Sequence, residues 1–263
     1  MGNLLTHTNR RKSPLAKRDY AIVAATRFLG NVSLLATAIF VFKGSLNLVN
    51  LGLEDPGALT VNACLSIAFF VQHSGMIRTS FQRWSAQFMG EKYHGALFTI
   101  ASAILLLLLV LLWQKSSYVV YAAQGGIRLL FRAVFVLSVI GFYWGIRSLG
   151  RFDAYGLRPI LKGMQGAEAT SSHFTVRGPY RWVRHPLYLF CILMIWSCPD
   201  LTADRLLFNL LWTAWIVVGT ELEERDLVAQ FGEDYEAYRA EVPMLMPSTI
   251  RPALEEITGK PSL

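Results

Sequence analysis

The sequence has little charge and little cysteine, and each shortage excludes a class of protein. Only 16% of the 263 residues are charged, whereas a soluble domain has about 25%, so a soluble globular domain is disfavoured. Cys64, Cys191 and Cys198 lie in apolar runs, with no Cys-x-x-Cys pair and no His/Cys ligand spacing. We therefore expect no disulfide framework and no metal site, and we interpret the three thiols as structural groups within a membrane.

Apolar and aromatic residues take the place of the missing charge. Hydrophobic residues make up 53% of the chain and aromatic residues 13%, and the mean hydropathy is +0.38. A membrane-crossing helix needs about 20 mostly apolar residues. Four segments have this length and two shorter ones follow, at 22–42, 57–77, 95–113, 127–146, 186–198 and 206–220. The sequence therefore predicts an all-α, polytopic integral membrane protein with about six transmembrane helices. The last two would form a helical hairpin with a tight turn after Pro199.

The basic residues predict an orientation for these helices. If the N-terminus is cytoplasmic and all six segments cross, nineteen Lys and Arg residues lie inside and three lie outside, Lys43, Lys115 and Arg205. Such an excess is the usual positive-inside bias, so the net charge of +7 does not require nucleic acid as a partner. We expect the inner membrane of a bacterium, membrane lipids as neighbours and a cytoplasmic active site. Arg128 and Arg132 are interpreted as anchors that reach the lipid interface.

These segments divide the chain into five regions. They are a basic cytoplasmic N-terminus (1–20), transmembrane helices 1–4 (21–148), a cytoplasmic loop (149–185), a catalytic core (186–248) and a tail (249–263). The first helix is expected to be a retained signal-anchor, because its apolar run exceeds the roughly 7–15 residues of a signal peptide and no A-x-A-like site follows it. The sequence does not indicate an oligomeric state.

A basic stretch lies directly before the fifth apolar segment, with the sequence RGPYRWVRHPLYLF at 177–190. Proline is tolerated in the first helical turn, so Pro186 places Arg184 and His185 at a helix N-terminus. Free backbone N–H groups and the helix dipole make such an end a natural site for an anion.

Acidic residues gather after the last apolar segment, where the tail from Glu221 carries ten of the eighteen acids in the chain. Continuing the helix places Glu221 and Glu224 on one face and Glu223 on a neighbouring face. A basic helix start beside this acidic helix end can bind a zwitterion, with its anion at Arg184 and its ammonium group at Glu223 or Glu224. An internal salt bridge without a ligand fits equally well, and a solvated charged tail is a third interpretation.

Two motifs together resemble the membrane methyltransferases typified by isoprenylcysteine carboxyl methyltransferase and the phospholipid methyltransferases. The first is R-H-P-L-Y at 184–188, and the second runs from E-E-x-x-L at 223–227 to V-P-x-L-x-P at 242–247. Other segments are similar to the NnrU and methanethiol S-methyltransferase branch, namely Q-H-S-G-M-I-R at 72–78, F-D-A-Y-G-L-R at 152–158 and W-S-C-P at 196–199. A glycine is common two residues after the motif tyrosine, where this chain has Phe190.

The resemblance implies S-adenosylmethionine as the methyl donor. It also implies that His185, Tyr188, Glu223 and Glu224 contact this cofactor, with Arg184 close by. The favoured acceptor is a small thiol such as methanethiol, which would become dimethyl sulfide. A prenyl-cysteine carboxylate or another lipid-like acceptor is an alternative, and a non-catalytic NnrU-like membrane protein is a third hypothesis.

Methylation of a thiol requires loss of its proton, since the thiolate is the nucleophile. A cationic, partly dry site would favour the thiolate, and Arg184 and Arg158 are the candidate catalytic cations. His73, at the expected cytoplasmic end of the second helix, is a candidate general base. A hydrogen-bonded packing role is the alternative for His73.

Overall fold

Long helices make up most of the protein in a computed structural model, which describes residues 14–150, 153–165, 174–249 and 251–254. Arg10, Arg11, Lys12, Lys260 and the motif residue Phe152 lie outside the described residues. The helices are α1 Pro14–Lys43, α2 Asp55–Ile77, α3 Thr79–Met89, α4 His94–Leu112, α5 Gly125–Ser148, α6 Arg158–Gln165, α7 Pro186–Trp196, α8 Ala203–Phe231 and α9 Glu233–Glu241. The strands are β1 Val119–Ala122 and β2 Asp200–Thr202.

Five helices are long and apolar enough to cross a membrane: most of α1, α2, α4 with its preceding turn, α5 and α8. This confirms the predicted polytopic, helical membrane protein. The helix α7 has 11 residues, or about 16 Å at 1.5 Å per residue, so it is too short to cross alone. The helix α8 has 29 residues and is longer than the predicted segment, because it continues through the charged residues to Phe231 and ends at Gly232.

The helices pack in a continuous order, α1 on α4, α4 on α2, α2 on α8, α8 on α7 and α7 on α5. Two glycines of α5 let α7 approach closely. A Cβ atom on Gly141 would lie 2.3 Å from the Phe190 ring, and one on Gly145 would lie 2.6 Å from Leu187. Small residues often allow such contacts between membrane helices. Phe190, which departs from the family motif, therefore occupies the space above a glycine.

The connection between α7 and α8 differs from the predicted tight turn. It includes the strand β2, which pairs antiparallel with β1 from the loop between α4 and α5. The Trp196 Nε1–H group at the end of α7 donates to Thr213 Oγ1 over 3.0 Å. The end of α7 therefore lies beside the first three turns of α8. We call the end of the bundle with β1 and β2 the strand end, and the opposite end, with Arg184 and Glu224, the motif end.

Arg205 was expected in an outer loop, but it lies in the first turn of α8 with only 1% of its surface exposed. Its guanidinium donates to the backbone carbonyls of Phe40, Val41 and Ile195. These carbonyls belong to the last turns of α1 and α7, where a helix has carbonyls without partners in the helix itself. The Phe40 carbonyl also accepts from the Gly44 N–H group over 2.8 Å. A single cation therefore satisfies two helix ends, which explains why it is buried rather than solvated.

The two arginines interpreted as lipid anchors also have partners within the protein. Arg128 donates to both carboxylate oxygens of Asp200, over 2.9 and 2.6 Å. Arg132 donates to the carbonyl of Phe42, and its guanidinium lies 3.9 Å from the Phe42 ring centroid. Both therefore tie α5 to other parts of the strand end.

Candidate functional site

The two sequence motifs meet at the motif end, where Glu224 of α8 lies against the start of α7. Its Oε1 atom is 2.6 Å from Arg184 Nε and 3.1 Å from His185 Nε2, and its Oε2 atom is 3.4 Å from Arg239 Nε. The side chains of Arg184 and Glu224 are only 8% and 5% exposed. Taking either charge out of water alone would be strongly unfavourable, so the two side chains depend on each other.

The segment after α9 completes this cluster through its backbone. The N–H groups of Arg184 and His185 donate to the carbonyls of Pro243 and Met244 over 2.9 and 3.1 Å. The Arg184 guanidinium also donates to the carbonyls of Arg239 and Val242. The V-P-M segment at 242–244 therefore binds the R-H-P motif at 184–186 through its backbone. The backbone N–H groups of Arg184 and His185 are therefore engaged within the protein, and so is the Arg184 side chain, which the sequence predicted as an anion-binding group.

Glu223 has a different environment from its neighbour Glu224. Its Oε2 atom accepts a hydrogen bond of 2.6 Å from the Tyr188 hydroxyl and lies 4.0 Å from His185 Nδ1. The rings of His185 and Tyr188 stack with centroids 5.7 Å apart. The Glu223 side chain is 45% exposed. One glutamate of the pair is therefore buried among cations, and the other presents a carboxylate to a cleft.

His185 lies between both glutamates and is 6% exposed. Burial lowers the pKa of its imidazole below the ordinary value, although the carboxylates of Glu223 and Glu224 act in the opposite direction. A carboxylate can only accept a hydrogen bond, so the Nε2 atom of the neutral ring carries the proton shared with Glu224. Nearby, burial raises the pKa of Tyr235 to about 12. Both rings are therefore neutral at pH 7.

A cleft of about 340 Å³ opens between α2 and α8 and reaches the Tyr188–Glu223 pair. Along α8, Trp215, Gly219 and Glu223 are spaced by four residues, so they lie on one helix face. The cleft is lined by His73, Ser74, Ile77, Arg78, Tyr188, Trp215, Ile216, Gly219, Leu222, Glu223 and Asp226. It therefore brings the sequence-predicted His73, Tyr188 and Glu223 together.

His73 has features of both roles considered for it. Its ring packs among Phe69, Phe98 and Trp215, with centroid distances of 5.2, 4.8 and 5.2 Å. Its Nδ1 atom is 3.4 Å from Ser102 Oγ. The ring is thus held in place by packing and by one hydrogen bond, and it still lines the cleft.

Arg158 and Arg184 do not line this cleft. Arg158 begins α6, which packs on α1, and its backbone N–H donates to Asp153 Oδ2 over 2.7 Å. Its side chain is exposed. Arg184 directs its guanidinium to Glu224 and to backbone carbonyls, as described above. Arg78, which was not among the predicted catalytic cations, lies in the cleft wall.

Sequence reasoning missed Trp215, Gly219 and Arg78 as cleft residues. The signal for the first two was present, because they precede Glu223 by eight and four residues on a helix that was already expected to continue. Arg78 was noted only as part of a motif. Which of its neighbours it would face depends on how α2 packs on α8, and no local pattern specifies that contact.

Comparison with known proteins identifies the family of the chain. The family model described as "NnrU protein" matches residues 63–244. The chain is 37% identical over 190 residues to methanethiol S-methyltransferase 2 of Bradyrhizobium diazoefficiens, covering 72% of this chain and 73% of that protein. It is 35% identical over 191 residues to methanethiol S-methyltransferase of Mycobacterium tuberculosis, covering 72% and 78%.

A more distant similarity connects the chain to an animal protein. It is 25% identical over 182 residues to nurim of Rattus norvegicus, covering 65% of this chain and 68% of nurim. No solved structure matches the chain. The family match over residues 63–244 includes α2 from residue 63 onward, all of α8 and every cleft-lining residue. The chain belongs to the NnrU family of helical membrane proteins.

Proposed function

We propose that this protein is a membrane methyltransferase that transfers a methyl group from S-adenosylmethionine to a small thiol, converting methanethiol to dimethyl sulfide. The observation that carries the proposal is one cleft that contains an accessible carboxylate, Glu223, and a candidate base, His73, on facing helices. Relatives 31–37% identical to this chain are named methanethiol S-methyltransferases, which supports the reaction class.

The cleft suits the proposed donor in size and in charge. Its volume of about 340 Å³ falls in the range of roughly 300–1,000 Å³ for small-molecule sites. S-adenosylmethionine would supply a methyl group on a cationic sulfur. Glu223 would pair with its ammonium group, and the Tyr188 hydroxyl holds that carboxylate in place. The N–H groups of Leu187 and Tyr188, in the first turn of α7, are free of intrahelical acceptors and would hold its carboxylate.

Glu224 and Arg184 act in this proposal as positioning residues. Glu224 is covered by three cationic or imidazole side chains, so it organises the site from behind the cleft. Arg184 holds Glu224 and the carbonyls of Arg239 and Val242 in place through hydrogen bonds. Their effect on the donor would pass through His185 and Glu223.

His73 and Arg78 would prepare the acceptor. His73 takes the thiol proton at the imidazole nitrogen not bonded to Ser102, and Arg78 favours the resulting thiolate by its charge. The packing of His73 among three aromatic rings orients the imidazole. Arg158 has no part in this assignment.

The membrane orientation follows from the charge distribution. The positive-inside bias predicts that the motif end is cytoplasmic, and the donor would enter from the aqueous side at Glu223. The inner membrane of a bacterium is part of the proposal because the relatives from Bradyrhizobium diazoefficiens and Mycobacterium tuberculosis are bacterial proteins. The apolar helices hold the cleft at the lipid boundary.

Donor binding and product formation by the detergent-purified protein test the proposal. Glu223→Gln should weaken S-adenosylmethionine binding at least about tenfold, since a charge-assisted contact contributes roughly 1.5–3 kcal/mol. Glu221→Gln is the matched control, because Glu221 is an exposed carboxylate on the same helix outside the cleft. Calorimetry gives the dissociation constant, and headspace detection gives dimethyl sulfide from methanethiol.

The outcomes separate the alternatives. Absence of saturable donor binding in the wild type would contradict the enzyme assignment and favour a non-catalytic membrane protein. Saturable binding without dimethyl sulfide above a donor-free control would contradict the thiol acceptor and favour a lipid-like one. Equal effects of the Glu223 and Glu221 variants would remove Glu223 from the donor site.

A further inference from the structure

The two ends of the cleft differ in chemistry along α8. Glu223 and Asp226 lie toward the motif end, whereas Trp215 and Ile216 lie deeper in the bundle. At 1.5 Å per residue, Trp215 and Asp226 are about 16 Å apart along the helix. The polar part can receive a charged donor, and the apolar part is suited to an uncharged group.

The facing wall on α2 also changes from a charged residue near the motif end to less polar residues deeper in the bundle. It closes the apolar part of the cleft. Arg78 lies toward the motif end, and His73 and Ser74 lie deeper. The Trp215 Nε1–H group donates to Ser74 Oγ over 3.1 Å, and the Trp215 and His73 rings are 5.2 Å apart. A hydrogen bond and a ring contact therefore join the two helices at this depth, which limits the length of any group bound there.

Gly219 lies between the two parts of the cleft, one turn from Trp215 and one turn from Glu223. A Cβ atom built on Gly219 would have no heavy atom within 4 Å. Packing against other elements therefore does not require a glycine at this position. Helix formation does not require it either, since alanine is the better helix former. The consequence of the missing side chain is open volume in the cleft.

We propose that Gly219 sets the size limit for the methyl acceptor, which binds between Gly219 and the His73–Trp215 pair. This inference rests on the proposed methyltransferase function. The acceptor class is a short, uncharged alkyl thiol. Aromatic and aliphatic walls favour an apolar chain, and a carboxylate on the acceptor would lose its hydration among Trp215 and Ile216.

Enlarging residue 219 tests the assignment. Gly219→Ala should lower kcat/KM for ethanethiol relative to methanethiol at least about tenfold, the lower end of the effect of one methylene group in a pocket. Gly219→Leu should abolish turnover of both thiols while the dissociation constant for S-adenosylmethionine stays within a factor of about two, well under the tenfold that 1.4 kcal/mol represents. Mercaptoacetate, an anionic thiol, should give no product with the wild type.

Gly75 provides the matched control. It is a helical glycine of α2, next to Ser74 in sequence, whose added Cβ would also meet no heavy atom within 4 Å. It is exposed and does not line the cleft. Gly75→Ala and Gly75→Leu should keep the wild-type ratio of the two thiols.

Three results would overturn the inference. The first is an unchanged thiol ratio in Gly219→Ala, and the second is loss of donor binding in Gly219→Leu, which would assign Gly219 to the donor part. The third is efficient methylation of mercaptoacetate. Failure of the proposed function looks different, because the wild type itself would then bind no donor or methylate no thiol.

Discussion

The adjacent residues Glu223 and Glu224 differ in burial, and this difference gives them different roles. Glu223 and Glu224 are equal in charge and differ by about 100° around α8. That rotation gives Glu224 a side chain 5% exposed, in contact with Arg184, His185 and Arg239, and Glu223 a side chain 45% exposed. Stability therefore depends on one of them, and ligand contact in our proposal depends on the other.

Alanine substitution should separate these roles. Glu224→Ala leaves the buried Arg184 without its carboxylate and should destabilise the protein by about 3–5 kcal/mol. Glu223→Ala should change stability by less than about 1 kcal/mol, because its side chain is half-exposed. Thermal unfolding in detergent, followed by circular dichroism, measures both. Equal losses for the two variants would show that the burial difference has no energetic consequence.

At the scale of elements, the close packing of α5 and α7 determines where the R-H-P motif lies. Gly141 and Gly145 face Phe190 and Leu187, so α7 rests directly on the α5 backbone. The unusual Phe190 fills the space that the glycine leaves. The aromatic residue and the glycine therefore form a unit, and neither should be replaced alone.

A double-mutant cycle tests this pairing. Gly141→Ala should cost about 1–3 kcal/mol, because its Cβ would lie 2.3 Å from the Phe190 ring. Phe190→Ala removes the obstructing ring, so the double variant should be less destabilised than the sum of the two single variants. Unfolding in detergent gives the three values. Additive losses would show that the ring moves aside without strain.

At the scale of the whole molecule, sequence predicted the spanning helices more accurately than their contacts. Apolar runs of about 20 residues and the continuation of the last helix past Glu221 are local signals, and both predictions were confirmed. The β1–β2 pairing was not predicted, and the prediction that Arg205 lies in an outer loop was wrong. Both features depend on partners far along the chain. The cleft also depends on distant parts of the chain, since it exists only where α2 meets α8.

The orientation of the bundle is open to a direct test. In a cysteine-free background, Ser248→Cys at the motif end should react from the cytoplasm with a membrane-impermeant maleimide. Tyr118→Cys at the strand end should react from outside, because the chain crosses the membrane between these positions. Both residues are exposed in the structure. Labelling of both positions from one side would contradict the proposed crossing.

The backbone contacts from Pro243 and Met244 to the R-H-P motif bear on how the protein is made. A ribosome synthesises these residues only after all five long helices. Arg184 and Glu224 are therefore synthesised before the segment that completes their cluster, and the candidate site cannot close while any spanning helix remains to be synthesised. A nascent chain stalled within the membrane would lack this cluster, so ligand binding would report completed assembly.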